Sequence, residues 1–156
     1  MPTLRRQIPR KDASSVLAET RPVLLATLEV GFDPVAAEFA VDAAVEAGQP
    51  LIIANVVEMP LGPMCVLMGY GALDPAGDDA AKLRAPAELA QSLGVPVERL
   101  RVRSPHPLDA LLELVAERAP GLLVFGPDRV RLKPRLYRRA VKKIRAGVGC
   151  LVWLPE

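Results

Sequence analysis

Residues 22–48 read PVLLATLEVGFDPVAAEFAVDAAVEAG, and the order of signals within them decides the fold. Pro22 to Leu28 is a short, unbroken apolar run, the pattern of a strand buried on both faces of a parallel sheet. Asp33-Pro34 then supplies an N-cap with proline at the first helical position. Beyond it, Val35, Phe39 and Ala43 predict the inward face of a helix, and Glu38, Asp42 and Glu46 the outward one. Gly48 predicts the C-cap, and Pro50 prevents continuation. The chain then enters a second apolar run, Leu51 to Val57, which completes a βαβ unit.

The same alternation continues outward from this unit. Met59 to Gly77 carries three methionines, four glycines and three prolines, which predicts a loop. Its apolar residues, Met64, Cys65 and Met68 among them, mark it as a candidate contact surface for a partner or ligand. A helix is predicted from about Asp79 to Leu93, with a kink or a start near Pro86. Val97 to Val102 is a more polar strand, expected nearer a sheet edge. Pro107 to Ala119 reads as a helix with Leu108, Leu111, Leu112 and Val115 inward. Gly121 to Gly126 is the fourth strand, Lys133 to Arg145 a helix burying Leu136, Ala140, Val141 and Ile144, and Gly149 to Leu154 the last strand. The fold class is therefore α/β, one three-layer domain with a mostly parallel five-stranded sheet over residues 21–156. Residues 1–20 form a basic leading segment expected to be flexible.

Composition narrows the function. The 156 residues are 51% hydrophobic and 24% charged, which excludes intrinsic disorder. No run approaches the roughly 18 apolar residues of a membrane span, and the first residues lack the apolar core of a secretory signal. Two cysteines give no disulfide framework, so a cytoplasmic location is expected. With one histidine, His106, most metal sites and most Ser-His or Cys-His machinery drop out, and neither an enzyme nor a resident cofactor is expected. Gly69-Tyr70-Gly71 starts like a dinucleotide loop but has Asp74 in place of the third glycine; Gly121 and Gly126 have phosphate-loop spacing but are followed by Pro127-Asp128.

Net charge is only +2, yet nine basic residues lie between Arg129 and Arg145, with no acid between Asp128 and Glu156. Such a run is either a solvated face or an anion-facing one. Contact with nucleic acid or another polyanion through 129–145 is an alternative, although Tyr137 is the one aromatic there and stacking on single strands is not supported.

Several segments together resemble the universal stress protein family: the first strand and helix, Gly94-Val95-Pro96-Val97-Glu98, Pro107 to Glu113, Ala119 to Gly126, and the ending Gly149 to Leu154. The resemblance implies strand order 3-2-1-4-5 and dimerisation through the final strands, which here makes Cys150, Val152 and Trp153 candidate interface residues. ATP-binding members carry an aspartate at the end of strand one, then a loop after strand four with two glycines, a nine-residue spacer, and a glycine–hydroxyl pair. Glycines let backbone N–H groups approach phosphates there, beside a helix N-terminus.

This chain departs from that pattern. Leu28 stands after Thr27 where the acid would be, Gly126 is kept, and Arg129 takes the second glycine position. An ungapped count sets Arg139 and Ala140 opposite the final pair. Thr27, Leu28, Gly126, Arg129, Arg131, Arg139 and Ala140 thus form the candidate anion site, with guanidinium groups able to replace backbone amides. The expectation is a stress-response or regulatory homodimer that does not bind ATP in the usual way and works through protein contacts. Its alternative is a nucleotide or phosphate-ligand binder that uses arginines in place of the glycine loop.

Overall fold

The computed structural model describes residues 20–59 and 78–155, and the side chains of 78–83 lie outside that description. Most of the leading segment and the candidate contact residues Met64, Cys65 and Met68 fall outside the described residues. The elements are β1 (Val23–Leu28), α1 (Pro34–Ala47), β2 (Leu51–Glu58), α2 (Asp78–Ser92), β3 (Val97–Ser104), α3 (Pro107–Arg118), β4 (Leu122–Phe125), α4 (Pro134–Gly147) and β5 (Leu151–Trp153). The five strands form one sheet in the order β3-β2-β1-β4-β5, and every pair is parallel. The more polar β3 is an edge strand, as its composition predicts.

Local chemistry sets the helix ends. The Asp33 carboxylate accepts from Val35 N–H at 2.8 Å, and Gly48, at φ 63°, closes α1 in the left-handed conformation that glycine adopts without a Cβ penalty. Proline occupies the first position of α1, α3 and α4. The α2 helix runs continuously on both sides of Pro86, whose ring is buried, so neither a start nor a break occurs there.

Two hydrophobic layers sandwich the sheet. Leu24, Leu28, Ala54 and Val56 pack with Leu108, Leu111, Tyr137, Ala140 and Ile144 of α3 and α4. Leu25, Ile53 and Val124 pack with Ala36, Ala40, Val41 and Ala44 of α1 and with Ala87 and Ala90 of α2. The inward face of α1 is therefore the alanine stripe, which corrects the expectation for Val35 and Phe39; these are 64% and 37% exposed. The reason is clearance. A Cβ built on Gly126 would come within 2.3 Å of the Ala36 Cβ, so α1 lies too close to the sheet for larger side chains beneath it. In α3, Leu114 is buried and Leu112 only partly so.

Candidate functional site

In open parallel sheets, ligands bind beyond the carboxyl ends of the strands where the strand order reverses, which here is between β1 and β4. The first turn at that point is tight. Glu29 has φ 64°, unusual for a residue with a side chain, and its N–H donates to Val56 O at 3.0 Å. The Glu29 carboxylate accepts from Glu58 N–H at the end of β2. Thr27 is fully buried, and its hydroxyl donates to Val30 O at 3.0 Å. Leu28 is also fully buried, in the layer beneath α3 and α4.

The turn after β4 closes onto the turn after β1. Phe32 and Pro127 form an antiparallel bridge, Asp33 N–H donates to Gly126 O at 2.9 Å, and Asp128 N–H to Gly31 O at 2.9 Å. Within the turn, Gly126 N–H bonds Ala26 O, Val130 N–H bonds Asp128 Oδ1, and Arg131 and Leu132 N–H both bond Asp128 O. Pro127 and Pro134 have no N–H to offer. The amides that would cradle a phosphate are thus largely satisfied within the chain.

The candidate arginines part company. The Arg129 guanidinium lies over the Tyr137 ring, 4.2 Å from its centroid, while Arg131 is exposed and 3.7 Å from Asp128. Arg139, on α4, lines a cleft of about 220 Å³ with Glu58, His106, Asp109, Leu136 and Lys143. That cleft is of mixed sign, and Lys143 bonds Asp109 at 3.2 Å. Ala140, also on α4, is fully buried on that helix's inward face. The ungapped count therefore lands inside a helix: α4 begins at Pro134, eight residues after Gly126, whereas the motif's final pair falls thirteen after it. Among the described residues no cluster of three or more His, Cys, Asp or Glu side chains could hold a metal.

At the other sheet edge, Cys150 and Val152 pack on the layer below α4, and Trp153 stacks on Phe39 with centroids 4.6 Å apart. Burial pushes the Cys150 thiol above its ordinary value, partly offset by backbone hydrogen bonds, so it is a poor nucleophile near neutral pH. Leu151 between them is 75% exposed.

Sequence reading missed two organising acids. Asp128 builds the second turn, and the Pro127-Asp128 pair was its signal; Glu29 joins β1 to β2 and had no local signal. It also missed Asn55, fully buried with neither side-chain atom hydrogen-bonded, whose signal was a lone amide inside an apolar strand.

Comparison with known proteins agrees with this fold. The family model described as the universal stress protein family matches residues 19–144.

The chain belongs to the universal stress protein family.

Solved structures with the same fold include a universal stress protein in complex with cAMP, 23% identical, TM-score 0.61, covering 87% of this chain and 97% of that one. Another is the universal stress protein from Archaeoglobus fulgidus in complex with dAMP, 14% identical, TM-score 0.61, covering 87% and 98%. A third, the hypothetical protein MJ0577, is 12% identical with TM-score 0.64, covering 86% and 94%. No curated protein matches the chain. Among the described residues of this universal stress protein, no helix is long and apolar enough to cross a membrane.

Proposed function

We propose that this universal stress protein is a non-catalytic regulator that does not hold ATP by a glycine loop, and that it acts as a homodimer through contacts with other proteins. The observation that carries this reading is the closed turn pair. Five amides between Gly126 and Leu132 already have partners within the chain, and Leu28 replaces the acid. A phosphate would have to break those bonds before forming its own, and each exchange gains little net free energy. The β5 edge supports the dimer: it is three residues long, pairs β4 on one side, and carries the exposed Leu151.

Relatives with bound cAMP and dAMP make adenine nucleotides the ligands to test. Calorimetric titration with ATP and Mg²⁺, after extraction for co-purified nucleotide, is expected to show no micromolar binding and no nucleotide. Micromolar binding would overturn this reading and favour the second one, in which side chains hold the anion at the cleft containing Arg139, His106 and Lys143. In that case Arg139→Ala should abolish the heat.

A further inference from the structure

We propose that the cleft between the end of β2, the start of α3 and the flank of α4 binds a small zwitterion, a free α-amino acid with an aliphatic side chain. This inference goes beyond the proposed function and depends on neither the homodimer nor the ATP result. Three segments meet at the cleft: Glu58 ends β2, His106 stands between two prolines at the start of α3, and Leu136, Arg139 and Lys143 lie on α4. The α4 residues are three and four positions apart, which puts them on one face of that helix. The walls are tied together. Met59 N–H donates to Ser104 O at 2.9 Å, joining the end of β2 to the end of β3, and His106 N–H donates to Ser104 Oγ at 3.0 Å. Lys143 Nζ donates to Asp109 Oδ1 at 3.2 Å and joins α4 to α3.

The charges in this cleft are unevenly satisfied. Lys143 and Asp109 neutralise each other. Glu58 and Arg139 carry opposite charges on the same cleft, yet neither takes part in an ion pair among the described residues. Opposite charges that share a cleft without touching leave room for a molecule that bears both signs. His106, the N-cap residue of α3, makes no side-chain capping bond, so its imidazole is available to the same molecule.

An α-amino acid matches this arrangement. Its carboxylate takes paired N–H bonds from the Arg139 guanidinium, near the positive end of α3. Its ammonium donates to the Glu58 carboxylate, and Leu108, Leu136 and the prolines face its aliphatic side chain. Size agrees as well. A cavity of about 150 Å³ holds benzene, so the cleft's volume of about 220 Å³ has room for valine or leucine. A nucleotide is several times larger and could place no more than a phosphate group there. Glu58 also selects against simple anions, because a phosphate on Arg139 would face a like charge across the cleft.

The test titrates the full chain with L-valine and L-leucine, read by amide NMR shifts and by melting temperature. Saturable binding in the millimolar range or tighter is expected, with the shifts centred on Glu58, His106 and Arg139. Arg139→Gln and Glu58→Gln, both at exposed positions, should each weaken L-valine binding about tenfold or more, the effect of one lost charged hydrogen bond. On the unaltered protein, L-valinamide, which lacks the carboxylate, and N-acetyl-L-valine, which lacks the ammonium, should be weakened by a similar factor. Melting curves check that both variants keep the fold. Failure of both amino acids to saturate at concentrations on the order of tens of millimolar overturns the inference. If N-acetyl-L-valine or inorganic phosphate binds as tightly as L-valine, the cleft takes anions and the zwitterion is overturned. If L-valine binds the two variants as it binds the unaltered protein, its site lies elsewhere and the assignment to this cleft is overturned.

Discussion

Replacing Leu28 with aspartate, which would put an acid where the family resemblance implies one in ATP-binding members, is expected to cost several kcal/mol of stability and to yield no ATP affinity. Leu28 is fully buried at the end of β1, in the layer that contains Val56, Leu108 and Phe125. Truncating a buried leucine alone costs about 2–5 kcal/mol, and an unpaired buried carboxylate adds a desolvation penalty that only protonation relieves. A total of about 3 kcal/mol or more would be a large part of the usual 5–15 kcal/mol. At roughly 2–4 °C per kcal/mol it would lower the melting temperature by about 6–12 °C. The pH dependence gives a second signature. The buried carboxyl would have a native pKa above its unfolded value of about 3.9, so the variant's deficit should be smallest at low pH and grow as pH rises. Urea denaturation at pH 4 and pH 7 reads both. An undiminished stability at pH 7 would mean that position 28 opens to solvent, and that the crevice is wider than the two closed turns leave it.

The second large effect is expected at Gly126→Ala. The added Cβ would stand 2.3 Å from the Ala36 Cβ, well inside any normal contact, and 3.7 Å from the Leu25 side chain. Neither the alanine nor the strand can swing aside, so α1 would have to lift from the sheet. Overpacking of this kind costs about 1–3 kcal/mol. Ala36→Gly should make room at a helix-propensity cost of about 1 kcal/mol. The double variant should therefore lose clearly less than the two single losses added together. Chemical denaturation of the three variants completes the cycle. Strict additivity would show that Gly126 is retained for some reason other than the approach of α1.

Much of this architecture was legible because its signals are local. Asp33-Pro34, Gly48 and the apolar run before them each act within a few residues, and together they define β1 and α1 nearly to the residue. The face of α1 was not legible. Its sequence carries two apolar stripes, one of large residues and one of alanines, and hydrophobicity favours the large one. The choice falls to the alanines because of the gap between α1 and a glycine ninety residues away in the chain. At the candidate site, Leu28 and Arg129 could be read directly at the positions where the resemblance implies an acid and a glycine. The closure could not, since the Phe32–Pro127 bridge joins two loops with no local signal for their meeting. Lys133-Pro134 did mark the start of α4, and an ungapped count runs past it.

The early start of α4 also determines how such a protein could change its trade. Exchanging side chains at Leu28, Arg129, Arg139 and Ala140 alters chemistry at fixed backbone positions, and two of the four are sealed in the interior. A nucleotide cradle would first require extra chain between Gly126 and Pro134, because the missing length is backbone. Under the proposed reading, building such a cradle in this chain therefore calls first for an insertion ahead of Pro134, with point changes following behind.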